Sequence, residues 1–149
     1  MTSFKNYKKK KFVYGDFNNS PMSSVAGSRS GFSLIQNFKD YLNKLYLNQL
    51  IPVSVIPLQL ILDNLSITKV DFFSLDVEGY ELEVLSGIDF NKCRPNYILI
   101  EVRNVQKEKI FKFMENTNYK FIENISKFNK TDFPRWDGTH QDYLFKNNA

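Results

Sequence analysis

Apolar positions in this chain fall into short runs whose spacing switches between that of strands and that of helices. Val70, Phe72, Phe73 and Leu75 form a nearly continuous apolar run, the pattern of a strand covered on both faces. Tyr97 to Val102 makes a second run about a strand-helix-strand unit's length downstream. That spacing leaves Tyr80 to Ile88 as a crossover helix, right-handed by default. Upstream, Ile35, Phe38, Leu42 and Leu45 are spaced as one face of an amphipathic helix over residues 32–47, with Ser33 as its N-cap. Pro52 to Ile56 alternates like an edge strand, where a proline is tolerated. Leu58, Ile61, Leu62 and Leu65 follow a helical stripe opened by Pro57 and closed near Asn64 or Ser66. Ile110, Phe113 and Met114 mark another helix within 105–116. Tyr119 to Ile122 and Asp142 to Phe145 read as two last strands joined across the turn-rich Asp132 to Gly138. Strand, helix, strand, helix, strand, strand is an α/β order.

The first residues, Met1 to Lys10, are polar and basic and read as a frayed tail. Lys11 to Gly15 has the makings of a short strand. Asp16 to Gly31 is rich in Asn, Ser, Gly and Pro, which is loop chemistry, either a functional lid or a linker. The chain therefore divides into a tail and flexible loop over 1–31 and a folded part over 32–149. Its 14 Phe and 8 Tyr exclude a disordered chain, because so much aromatic surface has to be buried. The net charge of +4 draws much of its excess from Lys5 and Lys8 to Lys11, so it describes a solvated tail and not a nucleic-acid face. A lone cysteine, Cys93, permits no internal disulfide, and with only His140 to join it no soft-ligand metal site is expected. The longest apolar stretch, Leu50 to Leu62, is broken by two prolines and too short to span a bilayer. With no apolar core of a signal peptide at the start, the expectation is a soluble cytoplasmic protein.

In open α/β sheets ligands collect beyond the carboxyl ends of the strands. Here the two central strands end in Asp76 with Glu78 and in Glu101, so the acids converge on one rim. Asp76 suits a general base for a hydroxyl, or it caps the following helix. Glu78 shares its turn, and Gly79 lets the backbone make that turn. Two acids so close would push one carboxyl upward in pKa, as a proton acceptor needs. Glu81 and Glu83 are assigned to the electrostatics of the first helical turn. Glu101 either accepts hydrogen bonds from substrate or is a buried structural carboxylate. His140, the single imidazole, precedes the last strand and is of the residue type suited to assist as a base, since an unperturbed imidazole has its pKa near neutrality. Arg103 reads as a solvated surface arginine.

The stretch VDFFSLDVEGYELEVLSGIDF, followed by YILIEVR, closely resembles the FkbM family of S-adenosylmethionine-dependent methyltransferases: aliphatic strand, Asp-Val-Glu-Gly turn, Glu-Leu-Glu-Val-Leu helix and a Glu-ended second strand, in register. The resemblance runs from Ile51 to Phe145 and covers the second half of the family's domain. It implies a partial Rossmann-like methyltransferase sheet, parallel strands ending in an antiparallel pair, and O-methylation of a hydroxyl on a glycan or related metabolite. Asp76 and Glu78 then become the catalytic candidates, Glu101 and His140 the substrate-binding ones, and S-adenosylmethionine the cofactor. No strand is followed by a glycine-rich cofactor turn, because Gly27 and Gly31 follow no convincing strand, and Pro57-Leu58-Gln59 stands where the family tends to show Thr-Leu-Asp. The expectation is a chain without the cofactor half, a gene fragment or one partner of a separate chain that supplies it, inactive alone. Two other readings compete: a binding or scaffolding module on the same sheet, and a metal-dependent glycosyltransferase using Asp76-Val77-Glu78 as an acid-x-acid motif.

Overall fold

The structure is a computed structural model that describes residues 10–15, 23–25 and 50–149, with side chains from residue 55 onward. The helix expected over 32–47 and the glycines at 27 and 31 lie outside the described residues. The chain divides into two compact units, 1–56 and 57–149. In the first, β1 (Lys10–Gly15), β2 (Ser23–Val25) and β3 (Leu50–Ser54) form an antiparallel sheet in the order β2-β1-β3. Val13 stands opposite Val25 on one side and Ile51 on the other. β2 thus falls inside the segment read as loop; three residues are too few for an alternation to show. β3 is an edge strand, which accommodates Pro52.

The second unit carries α1 (Leu58–Asn64), β4 (Phe72–Leu75), α2 (Glu81–Ser86), β5 (Tyr97–Arg103), a 3-10 turn (Asn104–Gln106), α3 (Lys107–Asn116), β6 (Tyr119–Asn124) and β7 (His140–Asn147). Its four strands make a mixed α/β sheet in the order β4-β5-β7-β6. β4 and β5 are parallel, with Leu75 beside Ile100. β7 is antiparallel to both β5 and β6, with Ile98 opposite Phe145 and Glu101 opposite Asp142. Every element of the strand-helix-strand-helix-strand-strand reading is present. α2 is shorter than its predicted span because Gly87 ends it.

Burial splits the sheet into two unlike faces. On β5, Ile98, Ile100 and Val102 are buried, and on β7 Tyr143 and Phe145 join them. Leu85 of α2 and Ile110 and Met114 of α3 pack into the same cluster, and Phe111 sets its ring edge-on to Tyr143 and Phe145 at 5.2 Å. Each such residue contributes about 1.5–3 kcal/mol by leaving water. The alternate residues, Leu99, Glu101 and Arg103 on β5 with Leu144, Asp142 and His140 on β7, point to the opposite face. The expectation that β4 is covered on both faces is corrected here. Only Leu75 of that strand is buried, and Phe72 is 55% exposed, because α2 and α3 pack against one face and Phe72 is on the other.

α1 is fastened to the end of α2 by backbone. Gln59 N–H donates to the Gly87 carbonyl at 2.8 Å, and the Gln59 side-chain oxygen accepts from Asp89 N–H at 2.9 Å. Gln59 therefore has a structural task of its own at the position where the resemblance leads one to expect an acid. A Cβ at Gly87 would lie 3.2 Å from the Val84 carbonyl oxygen and 3.3 Å from Leu58 nitrogen. Both are backbone atoms that move only with their helices. Gly87→Val is therefore expected to cost about 1–3 kcal/mol in urea unfolding, the usual range for overpacking. An unchanged midpoint would show that α1 yields freely.

Candidate functional site: a carboxylate rim at the ends of β4 and β5

Parallel pairing in register decides where the acids go. Leu75 lies beside Ile100, so the next residues, Asp76 and Glu101, emerge together from neighbouring strands onto the face away from the core. Asp142 stands opposite Glu101 on β7, and His140 opposite Arg103. The rim is thus built from three strands. Asp76 is exposed, whereas the Glu101 side chain is only 18% exposed. Burial, reinforced by the charges of Asp76, Glu78 and Asp142 and partly offset by His140, pushes the Glu101 carboxyl up to about 7. Asp142 is raised in the same direction, by burial first and then by Asp76. The carboxyl pushed up to neutrality is Glu101, on the strand next to the Asp76-Glu78 turn.

His140 lies between two acids. Its Nε2 is 3.9 Å from Glu101 Oε2 and its Nδ1 is 3.5 Å from Asp137 Oδ1. Asp137 is itself held down in pKa, chiefly because the Thr139 hydroxyl and backbone N–H both donate to it, at 2.7 and 2.9 Å. The segment around His140 is pinned on both sides: Trp136 Nε1 donates to the His140 carbonyl at 3.0 Å, and Asn104 N–H donates to the Thr139 carbonyl at 2.8 Å.

The Asp-Val-Glu-Gly turn is rigid for reasons the sequence conceals. Glu78 has φ of 55° and Gly79 of 95°, two successive residues in the left-handed region, where a non-glycine residue is strained. Three side chains hold them there. Glu81 is fully buried, and its Oε1 accepts from Gly79 N–H at 2.9 Å and Val77 N–H at 3.2 Å. Gln106 Nε2 donates to the Gly79 carbonyl at 2.9 Å. Arg103 donates to Glu78 in a part-buried ion pair. Two sequence assignments are corrected by this. Glu81 does not merely bias the helix electrostatically, and Arg103 is not a solvated surface residue but the partner of Glu78. Glu83 remains exposed on α2.

Of the four residues singled out in the sequence, Asp76, Glu101 and His140 come together, and Glu78 is committed to Arg103 beside them. Asp142 and Asp137 were missed. Asp142 was legible: two residues after the only histidine, on a strand whose Tyr143 and Phe145 face the core, it has to share the histidine's face. Among the described residues no three His, Cys, Asp or Glu side chains are placed to hold a metal ion, and no helix is long and apolar enough to cross a membrane. The Asp-Val-Glu-Gly turn is not the glycine-rich amide cradle expected for the cofactor's charged end. Its N–H groups at Val77 and Gly79 and its Gly79 carbonyl are taken by Glu81 and Gln106, so what this turn offers a ligand is the exposed Asp76 carboxylate. The rim suits a hydroxylated ligand.

Comparison with known protein families gives one match: the model described as the methyltransferase FkbM domain covers residues 9–121. It begins well upstream of the stretch on which the sequence resemblance rests and ends within β6. Neither the curated proteins nor the solved structures returned a match.

Proposed function

We propose, given that this chain belongs to the FkbM methyltransferase family, that it works on the acceptor side of methyl transfer to a hydroxyl oxygen of a glycan or related metabolite. The family's donor, S-adenosylmethionine, would supply the methyl group, and the chemistry assigned to these residues is confined to the acceptor. The mixed order β4-β5-β7-β6, a parallel pair followed by antiparallel neighbours, is compatible with the back half of a Rossmann-like methyltransferase sheet and supports the reading. Asp76 and Asp142 orient the hydroxyl, and Glu101 takes its proton as the oxygen becomes an ether oxygen. The observation that carries this is the Glu101 carboxyl, set near neutrality by burial and neighbouring acids, since a base works best with a pKa close to the operating pH. Glu78, tied to Arg103, holds the turn that presents Asp76.

The test is a transfer assay with donor labelled in its methyl group and a panel of oligosaccharides and hydroxylated metabolites. Label is expected in a base-stable ether, and Glu101→Gln is expected to lower the rate by roughly 10²–10⁴, the usual contribution of a positioned base. Label released by mild base as methanol would mean a carboxylate acceptor and overturn the reading.

A further inference from the structure

The geometry points to a route by which the acceptor's proton leaves the rim. We propose that His140 is a proton relay, receiving on Nε2 the proton that Glu101 takes from the acceptor and releasing one from Nδ1 through Asp137 to water. The inference rests on Glu101 acting as the base, but its structural grounds are separate.

The oxygens around the ring favour one nitrogen as the carrier of hydrogen in its neutral form. Nδ1 faces two oxygens, Asp137 Oδ1 at 3.5 Å and Thr139 Oγ1 at 3.4 Å. The Thr139 hydroxyl has already given its hydrogen to Asp137, so toward the ring its oxygen is an acceptor. Two nearer acceptors on one side, against the single and more distant Glu101 oxygen on the other, favour Nδ1–H and turn the Nε2 lone pair toward the Glu101 carboxyl when it holds its proton. Distances of this size tighten when a ligand closes the site. The ring's place is fixed by the edge-on Phe128 ring at 5.8 Å and by the Trp136 bond to its carbonyl.

The step balances without any added reactant. The acceptor O–H bond breaks and the Glu101 carboxylate becomes a carboxylic acid. Glu101 gives that proton to Nε2, making the imidazolium, which loses its Nδ1 proton to the Asp137 carboxylate. Asp137 is 60% exposed and passes it to water. The ring, 28% exposed, regains its first tautomer by exchange with solvent. Among the described residues, the charges facing this path are Asp76 beyond β4, Glu78 with Arg103 at the turn and the end of β5, Asp142 on β7 and Asp137 before it.

Because His140 is the only histidine, nitrogen-15 correlation spectra of the resting full chain report it without ambiguity. The neutral ring is expected as the Nδ1–H tautomer. Asp137→Ala should move the tautomer ratio toward Nε2–H by about threefold or more, as expected for losing a charged hydrogen-bond acceptor. A neutral ring in the Nε2–H form, or a tautomer ratio unchanged by Asp137→Ala, overturns the relay. In the transfer assay, His140→Gly should lose about tenfold or more in kcat and regain it with added imidazole, as a missing proton carrier would. Loss without such rescue refutes the relay while leaving methyl transfer intact.

Discussion

Glu101→Gln is expected to stabilise the fold by about 2 kcal/mol at pH 8 and to change it little below pH 4. The sign follows from the direction of the shift. Burial first, then Asp76, Glu78 and Asp142, raise the folded carboxyl from 4.5 to about 7, so between those values the folded chain keeps a proton that the unfolded chain has released. Stability is therefore lost as pH rises through that window and stays lost above it. Below pH 4 both states are protonated and the contribution vanishes. A shift of this size corresponds to roughly 3 kcal/mol at 1.36 kcal/mol per pKa unit, and the amide returns part of it because it too is desolvated. Urea unfolding of both proteins at pH 4 and pH 8 separates the cases. A stability difference that is the same at both pH values would show that Glu101 ionises freely in the folded protein. The variant that folds best at pH 8 is also the one expected to transfer methyl groups worst, as when a site retains a destabilising charge for its chemistry.

Glu81→Ala is the second large effect, at about 3 kcal/mol, because it leaves two N–H groups of the turn without their acceptor and opens a void. Glu81→Gln keeps an accepting oxygen at nearly the same volume and is expected to cost about 1 kcal/mol or less. Amide hydrogen exchange gives the local readout: Val77 and Gly79 lose protection in Glu81→Ala and retain it in Glu81→Gln. Equal costs for the two replacements would mean that packing, and not the accepted hydrogen bonds, is what Glu81 provides.

The sheet of the second unit was legible because its strands are short apolar runs at strand-helix-strand spacing, and parallel pairing in register then brings Asp76 beside Glu101. The sequence was less informative wherever a residue's role depends on an element distant along the chain. An apolar run says nothing of whether a second layer exists to cover it, so the exposure of Phe72 was not foreseen. A glutamate in a helix's first turn looks the same whether it faces water or turns back on the preceding loop, and this hid Glu81. Arg103 ends β5 and Gln106 follows it, and only the folded chain brings them onto a turn in the seventies. Asp137 occupies an irregular loop that no periodicity marks.

The turn's dependence on distant residues has a practical bearing on protein engineering. The four letters Asp-Val-Glu-Gly, transplanted alone into another scaffold, would bring two left-handed residues and none of the groups that keep them so. Arg103 and Gln106, 25 and 27 residues beyond their partners, have to travel with the motif, as does Glu81. The smallest transferable module is therefore residues 72–106, a whole strand, helix, strand and terminal turn.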